Sequence, residues 1–263
     1  MLGSIASPQY WRWAAHGKHP AAGDYFRLGD DLPLLQAFAG WARQGYGALT
    51  TRRNAPTGYR SWRFWARGAA KGQLVGGLLK DSTDTHGRAF PLLLIGTGPL
   101  SGWEAHWDLV PFACEGSWSQ MERISTRGYG TLREFEAEIQ RIRGPSPEWS
   151  MFQAQREEIR ETARTGGGGT PTLQLEDIEK RAASLSRQSD ILISLTERPA
   201  DDHFALVSLW HSFLRAGGEW VPSVVFMGGT QEAAFMVLLQ RPLRPDDFLQ
   251  LWSGPTGEGE TAR

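Results

Sequence analysis

Three apolar runs follow one another closely between residues 61 and 95, and their spacing limits the folds open to this chain more than any other feature. The runs are SWRFWA (61–66), QLVGGLL (73–79) and FPLLLI (90–95). Short apolar runs that are bounded by Gly and polar clusters are typical of β-strands. Their connections are too short for the helical crossover that joins parallel strands, so the sequence predicts an antiparallel meander.

Helical and strand-like patterns lie on both sides of this meander along the chain. Residues 32–42 have the apolar period of a helix with Asp30 or Asp31 as its cap, and residues 43–60 are predicted to form a loop. Further helices are predicted from 101 with a restart at Pro111, after the capping box at 131–134, and at 149–164, 175–187, 201–216 and 246–252. Further strands are predicted at 10–15, 191–195, 223–227 and 234–239. We therefore expect an α/β fold with helices on both faces of a mixed, largely antiparallel sheet.

Length and composition fit a single globular domain. The chain has 263 residues, of which 40% are hydrophobic and 22% charged, as in ordinary globular proteins. We expect one domain over 1–253, with its motif-bearing part at about 10–100, a flexible loop at 165–172 and a disordered tail at 254–263. The single cysteine, Cys114, excludes a disulfide framework and favours a reducing compartment. With no signal peptide and no long apolar run, we expect no membrane span and a cytoplasmic location.

Charge is distributed unevenly along the chain. Residues 1–100 have a net charge of +7 and residues 101–263 a net charge of −8. Between Asp31 and Asp81 there is no acidic residue, and the cations of this acid-free stretch include Arg52, Arg53 and Arg60. The stretch fits either a solvated loop and sheet edge or a surface for an acidic or phosphorylated partner. A nucleic-acid binder acting through residues 32–80 is an alternative, but no nucleic-acid fold signature is present and none is expected as partner.

Patterns that carry catalysis or bind cofactors are weak throughout. The glycines at 166–169 lack the Lys-Ser/Thr of a phosphate-binding loop, so neither they nor any other segment predicts a cofactor. The six histidines supply no clear metal-ligand set, and Cys114 is placed on an apolar helical face as a core thiol. A hydrolase that uses Asp24, Asp84 and His86 is the enzymatic alternative, and it predicts a deep pocket that joins their loops. We expect no catalytic residues and no metal.

Two loops carry a resemblance to a known family. The segment GKHPAAGDY (17–25) resembles the G-K-x-P-x-x-G-D-[FY] opening of the TagF/ImpM family of type VI secretion-associated proteins. The segment WRF (62–64) is similar to that family's next block. Residues 77–92, with Ser82, Asp84, Arg88 and Pro91, resemble its G-V-L-x-P-S-x-D-x-x-G-R-x-F-P-L segment. The matches cover about residues 10–95 in the same order and at matching separations.

The resemblance implies a fold and a function. It implies a three-layer α/β/α sandwich and a cytoplasmic accessory protein of the type VI secretion system. Members of the family resemble post-translational repressors that act through a forkhead-associated (FHA) scaffold protein. The resemblance brings no enzymatic activity and no cofactor, and the sequence leaves the oligomeric state open.

The matched loops supply the candidate site residues. Arg88 is expected to pair with the carboxylate of Asp24 or Asp84 and to link the loops 17–25 and 81–88. Two roles remain open for this link, a brace that stabilises the fold and a surface that binds a partner. The candidate residues for these roles, with the flanking arginines, are Lys18, Asp24, Asp84, Arg88, Arg52, Arg53 and Arg60.

Overall fold

Eight strands form one continuous sheet in the computed structural model, which describes residues 10–51, 58–165, 175–196 and 203–253. The strand order is β2-β1-β5-β4-β3-β7-β8-β6, and every adjacent pair is antiparallel. The strands are β1 (Arg12–Gly17), β2 (Phe26–Gly29), β3 (Ser61–Arg67), β4 (Gln73–Lys80), β5 (Leu92–Pro99), β6 (Asp190–Ser194), β7 (Val224–Gly229) and β8 (Ala234–Leu239). The meander predicted from the three apolar runs is confirmed as β3, β4 and β5.

Helices cover both faces of this sheet. They are α1 (Pro33–Thr50), α2 (Val110–Thr126), α3 (Leu132–Ile139), α4 (Trp149–Thr165), α5 (Leu175–Leu185), α6 (His203–Ala216) and α7 (Pro245–Ser253), and a 3₁₀ helix spans Trp103–Leu109. The helices α1 and α7 pack on one face, and the 3₁₀ helix and the remaining helices pack on the other, each over its own hydrophobic core. The α/β/α sandwich is thereby confirmed, and the described part of its sheet is antiparallel throughout.

The helix α1 is longer than the sequence predicts. It continues to Thr50, so the prediction of a loop from residue 43 is wrong over its first part. The apolar period runs on through buried Gly45 and Leu49, and a Cβ at Gly45 would come within 2.3 Å of Phe248 Cβ. This glycine lets α1 and α7 approach closely. The N-cap position is Leu32, which makes no side-chain cap bond, and Asp31 instead bonds Arg27 and Gln36.

Several boundaries follow the predicted signals. Pro111 lies in the first turn of α2, directly after the 3₁₀ helix, where its missing N–H costs nothing. Thr131 caps α3, because its Oγ1 accepts the N–H of Glu134 at 3.3 Å. Residues 166–172 of the predicted flexible loop, the proposed cap at 201–202 and the tail at 254–263 lie outside the described residues.

Candidate functional site

The two motif-bearing loops meet at one end of the sheet. One loop follows β1 and the other follows β4; these strands flank β5 and run in the same direction, so both loops leave the same end. The backbone N–H of Thr85 donates to the carbonyl of Ala22 at 2.9 Å, and so does its hydroxyl at 3.0 Å. Gly17 starts the first loop with a φ of +123°, and a Cβ there would lie 2.0 Å from the carbonyl oxygen of Pro91. The loop pair, residues 17–25 and 81–91, is therefore a joined unit.

Asp84 is the buried centre of the loop pair. Its Oδ1 accepts the backbone N–H groups of His86 and Arg88, both at 3.0 Å. Its Oδ2 lies 3.0 Å from Lys18 Nζ and 2.8 Å from Arg88 Nε. Asp84 and Lys18 are only 2% and 4% exposed. Burial acts to raise the pKa of Asp84, but the bonds from Lys18, His86 and Arg88 outweigh it and hold that pKa well below its usual range.

Arg88 connects the buried carboxylate of Asp84 to the protein surface. Its Nη2 donates to the carbonyl of Gly23 at 2.7 Å and lies 3.6 Å from Asp24 Oδ1. The side chains of Arg88 and Asp24 are 53% and 63% exposed. Arg88 thus contacts both carboxylates that the sequence offered as alternatives, one buried and one at the surface.

Tyr25 completes the outer rim of the loop pair. It is 54% exposed, and its ring packs edge-on against Phe90 with 4.7 Å between ring centroids. The ammonium of Lys18 lies 4.7 Å from the centre of the same ring. Tyr25 belongs to the family motif but was not among the predicted site residues. The aromatic position of that motif, directly after Asp24, could have identified it.

The arginines predicted to flank the loops are placed differently. Arg60 is only 5% exposed; its backbone N–H donates to Asp81 Oδ2 at 2.9 Å and its Nη1 to the carbonyl of Gly58 at 2.8 Å. Burial lowers the pKa of Arg60. Its guanidinium is therefore part of the interior rather than of an exposed basic rim. Arg52 and Arg53 lie outside the described residues.

A second tie at this end of the sheet was missed by the sequence analysis. The indole Nε1 of Trp252, on α7, donates to Asp81 Oδ1 at 2.8 Å. Burial raises the pKa of Asp81, and the bonds from Trp252 and Arg60 oppose that rise. The two partners are 171 positions apart in the sequence. No local sequence pattern predicts a contact between residues so far apart.

The chemistry of the loop pair does not favour the hydrolase alternative. His86 meets Asp84 through its backbone N–H at 3.0 Å, and every oxygen of Asp84 already accepts bonds from cations or N–H groups. A general base needs a free acceptor with a pKa near the working pH, and Asp84 has neither. Two cavities of about 400 Å³ each lie elsewhere, one between α2 and α6 and one beside α1. Neither is lined by the proposed hydrolase residues.

Several cations and aromatic rings of the acid-free stretch are paired or buried in its described part. Arg63 is bound by Glu122 at 2.6 Å, and Lys80 is buried with its ammonium donating to Ser125 Oγ. Trp62 and Trp65, two of the aromatic residues of this stretch, are buried in the two cores. Nucleic-acid binding requires exposed cations and aromatic faces, which these four residues do not present.

Among the described residues, no group of three or more His, Cys, Asp or Glu side chains is arranged to hold a metal ion. None of the helices in the described ranges combines the length and apolar composition that a membrane crossing requires.

Comparisons with known proteins agree with the family motifs of the sequence and with the fold. Residues 14–142 match the family model of the TagF N-terminal domain, which is described as type VI secretion system-associated. The crystal structure of PA0076 from Pseudomonas aeruginosa PAO1 is similar to this chain, with a TM-score of 0.51 and 18% sequence identity. The similarity covers 92% of this chain and 94% of that one. At this identity it supports the fold alone. The search of curated proteins returned no match.

Proposed function

This chain belongs to the TagF family of type VI secretion-associated proteins, and from that membership we propose that it is a non-catalytic repressor that binds an FHA-domain scaffold protein. It acts after translation and in the cytoplasm, by occupying the scaffold so that the secretion machine does not assemble. The contact surface is the outer rim of the loop pair, formed by Asp24, Tyr25 and Arg88.

One observation carries this proposal: the exposed rim is held in place by a buried ion pair, which forms its ionic base. The base is the Lys18–Asp84 pair, and the rim residues are each more than half exposed. Tyr and Arg are the side chains that most often dominate protein interfaces, because each offers a large contact area together with hydrogen bonding. A rim that is already held in place loses little conformational entropy on binding.

The base and the rim have different roles in this proposal. Lys18 and Asp84 position the loops without touching the partner, because both are buried. Arg60 likewise acts from the interior, through its bonds to the carbonyl of Gly58 and the carboxylate of Asp81. Arg52 and Arg53 remain proposed partner contacts, on the ground of their charge alone.

Both carboxylate oxygens of Asp84 already accept hydrogen bonds, which supports a role without catalysis. A carboxylate whose pKa is held low by Lys18 and Arg88 neither takes up nor releases a proton near neutral pH. Its bonds serve to fix the loops.

The test is direct binding between the purified chain and the FHA-domain protein of the same secretion system, measured by calorimetry. The variant Tyr25→Ala removes the exposed ring, and we expect it to weaken binding about tenfold or more. The matched control is Tyr10→Ala, because Tyr10 is 75% exposed and lies before β1, at the opposite end of that strand from the loop pair. The control should bind within about twofold of the unmodified chain.

Two results would contradict the proposal at different points. If the unmodified chain does not bind the FHA-domain protein, the proposed partner is wrong. If it binds and Tyr25→Ala binds equally well, the partner stands and the rim is the wrong surface. Thermal unfolding of both variants checks that neither has lost its fold.

A further inference from the structure

The strand β6 forms one edge of the described sheet, and three of its five residues point their backbone groups away from the sheet. Among the described strands, β8 is its single partner. The N–H of Gln240 donates to the carbonyl of Ser189, and the N–H of Leu195 donates to the carbonyl of Ala234. Because bonded residues alternate along an antiparallel pair, Ile191 and Ile193 point their backbone groups at β8. The backbone groups of Asp190, Leu192 and Ser194 therefore point outward.

The side chains of β6 give this edge an apolar character. Leu192 is 37% exposed, whereas Ile191 and Ile193 on the opposite face are each 1% exposed. The strand has no proline and no lysine, the residues that commonly protect free edges. The opposite edge of the sheet is protected, because the N–H of Gly29 on β2 donates to Glu136 Oε1 at 3.1 Å.

We propose that β6 pairs with β6 of a second copy of this chain, antiparallel and about a two-fold axis at Leu192. The three outward residues then bond their counterparts, with Leu192 opposite Leu192 and Asp190 opposite Ser194. The two sheets join into one sheet of sixteen strands. This pairing is independent of the function proposed above.

The strand is complementary to itself in this register, which favours a second copy over a strand from another protein. A two-fold contact places each residue opposite its symmetry counterpart, so a palindromic pattern is required. Two half-exposed leucines cover each other at the axis, and the buried face places Ile191 opposite Ile193. No two like charges meet, because a carboxylate stands opposite a hydroxyl.

The one charged residue of β6 is already neutralised within each copy. Asp190 Oδ2 accepts bonds from Arg241 Nε at 2.9 Å and Nη2 at 2.7 Å. Pairing therefore does not bury an unpaired carboxylate, which would oppose association.

Sedimentation equilibrium of the full chain tests this proposal. We expect a monomer–dimer equilibrium that appears as the concentration rises from about 1 µM to about 500 µM. The variant Leu192→Lys places two ammonium groups at the axis and should weaken the dimer about tenfold or more. The matched control is Met151→Lys, since Met151 is a 46% exposed apolar residue on α4. It should dimerise like the unmodified chain.

Residue-resolved hydrogen exchange on the unmodified chain gives a second measurement that needs no variant. The amide of Leu192 should exchange rapidly in dilute solution and become protected at high concentration, while that of Ile191 is protected at both. A chain that stays monomeric over the whole range overturns the proposal. So does a dimer that Leu192→Lys leaves unweakened, or one in which the Leu192 amide gains no protection.

Discussion

Individual histidines in this chain are packed as neutral groups. His19 is 1% exposed, its ring stacks on Phe135 with 4.3 Å between centroids, and its Nδ1 accepts the N–H of Ala21. Burial, helped by the charge of Lys80, lowers the pKa of His19 to about 4. Burial also lowers the pKa of His211 to about 4. Both rings are therefore uncharged in the folded protein at neutral pH.

These two residues predict how stability depends on pH. In the unfolded chain these histidines take up protons near pH 6.5, but in the folded chain only near pH 4. Their contribution to the free energy of unfolding should therefore be complete above pH 6.5 and should decrease as the pH falls from 6.5 to 4. The variant His19→Leu should remove about 1–2 kcal/mol of that decrease, after allowance for solvent screening. Urea unfolding across this pH range measures it. An unchanged slope in the variant would show that His19 is not buried in its neutral form.

At the scale of elements, the close contact of α1 with α7 depends on a glycine. Gly45 has no room for a Cβ against Phe248, which stacks on Trp252 with 4.2 Å between centroids. Gly45→Ala should therefore lower the free energy of unfolding by about 1–3 kcal/mol through overpacking. Gly47 on the same helix has nothing within 4 Å of a Cβ, so Gly47→Ala should raise it by up to about 1 kcal/mol. The urea unfolding midpoints of the two variants measure these changes. Equal shifts in both variants would contradict the close contact of Gly45 with Phe248.

Local patterns in the sequence predicted most elements, and long-range contacts account for the misses. The three central strands were predictable because their apolar runs are short and sharply bounded. The second half of α1 was missed because Gly45 and Gly47 suggest a loop, although α7 supplies the packing that holds this region helical. The sequence paired Arg88 with a carboxylate, left Lys18 open between a brace and a partner-binding surface, and placed Arg60 among the flanking surface arginines. Their burial depends on partners far along the chain.

At the scale of the whole molecule, β3 joins the two halves of the chain. It pairs with β4 on one side and with β7 on the other. Phe226 of β7 is fully buried between Phe64 and Trp41, at 5.5 Å and 5.7 Å between ring centroids. The residues matched to the family model therefore share their core with the C-terminal strands. A single domain over 1–253 stays a prediction.

A single domain predicts a single cooperative unfolding transition. The variant Phe226→Ala should lower the free energy of unfolding by about 3–5 kcal/mol, because it leaves a large cavity in the core. Native-state hydrogen exchange should then show the same loss of protection for β4 and β5 as for β8. Loss confined to β7 and β8 would indicate two separate units.

The strand order also means that, during synthesis of the chain, β3 lacks one of its two neighbouring strands for a time. The partner of β3 in the meander, β4, leaves the ribosome soon after it, but β7, its other neighbour, begins 125 residues after β5 ends. At typical translation rates this delay is on the order of 10 s. For that interval β3 presents a free edge together with Trp62 and Phe64. The nascent chain is thus most exposed to misassociation at its centre, in a strand that the finished protein encloses completely.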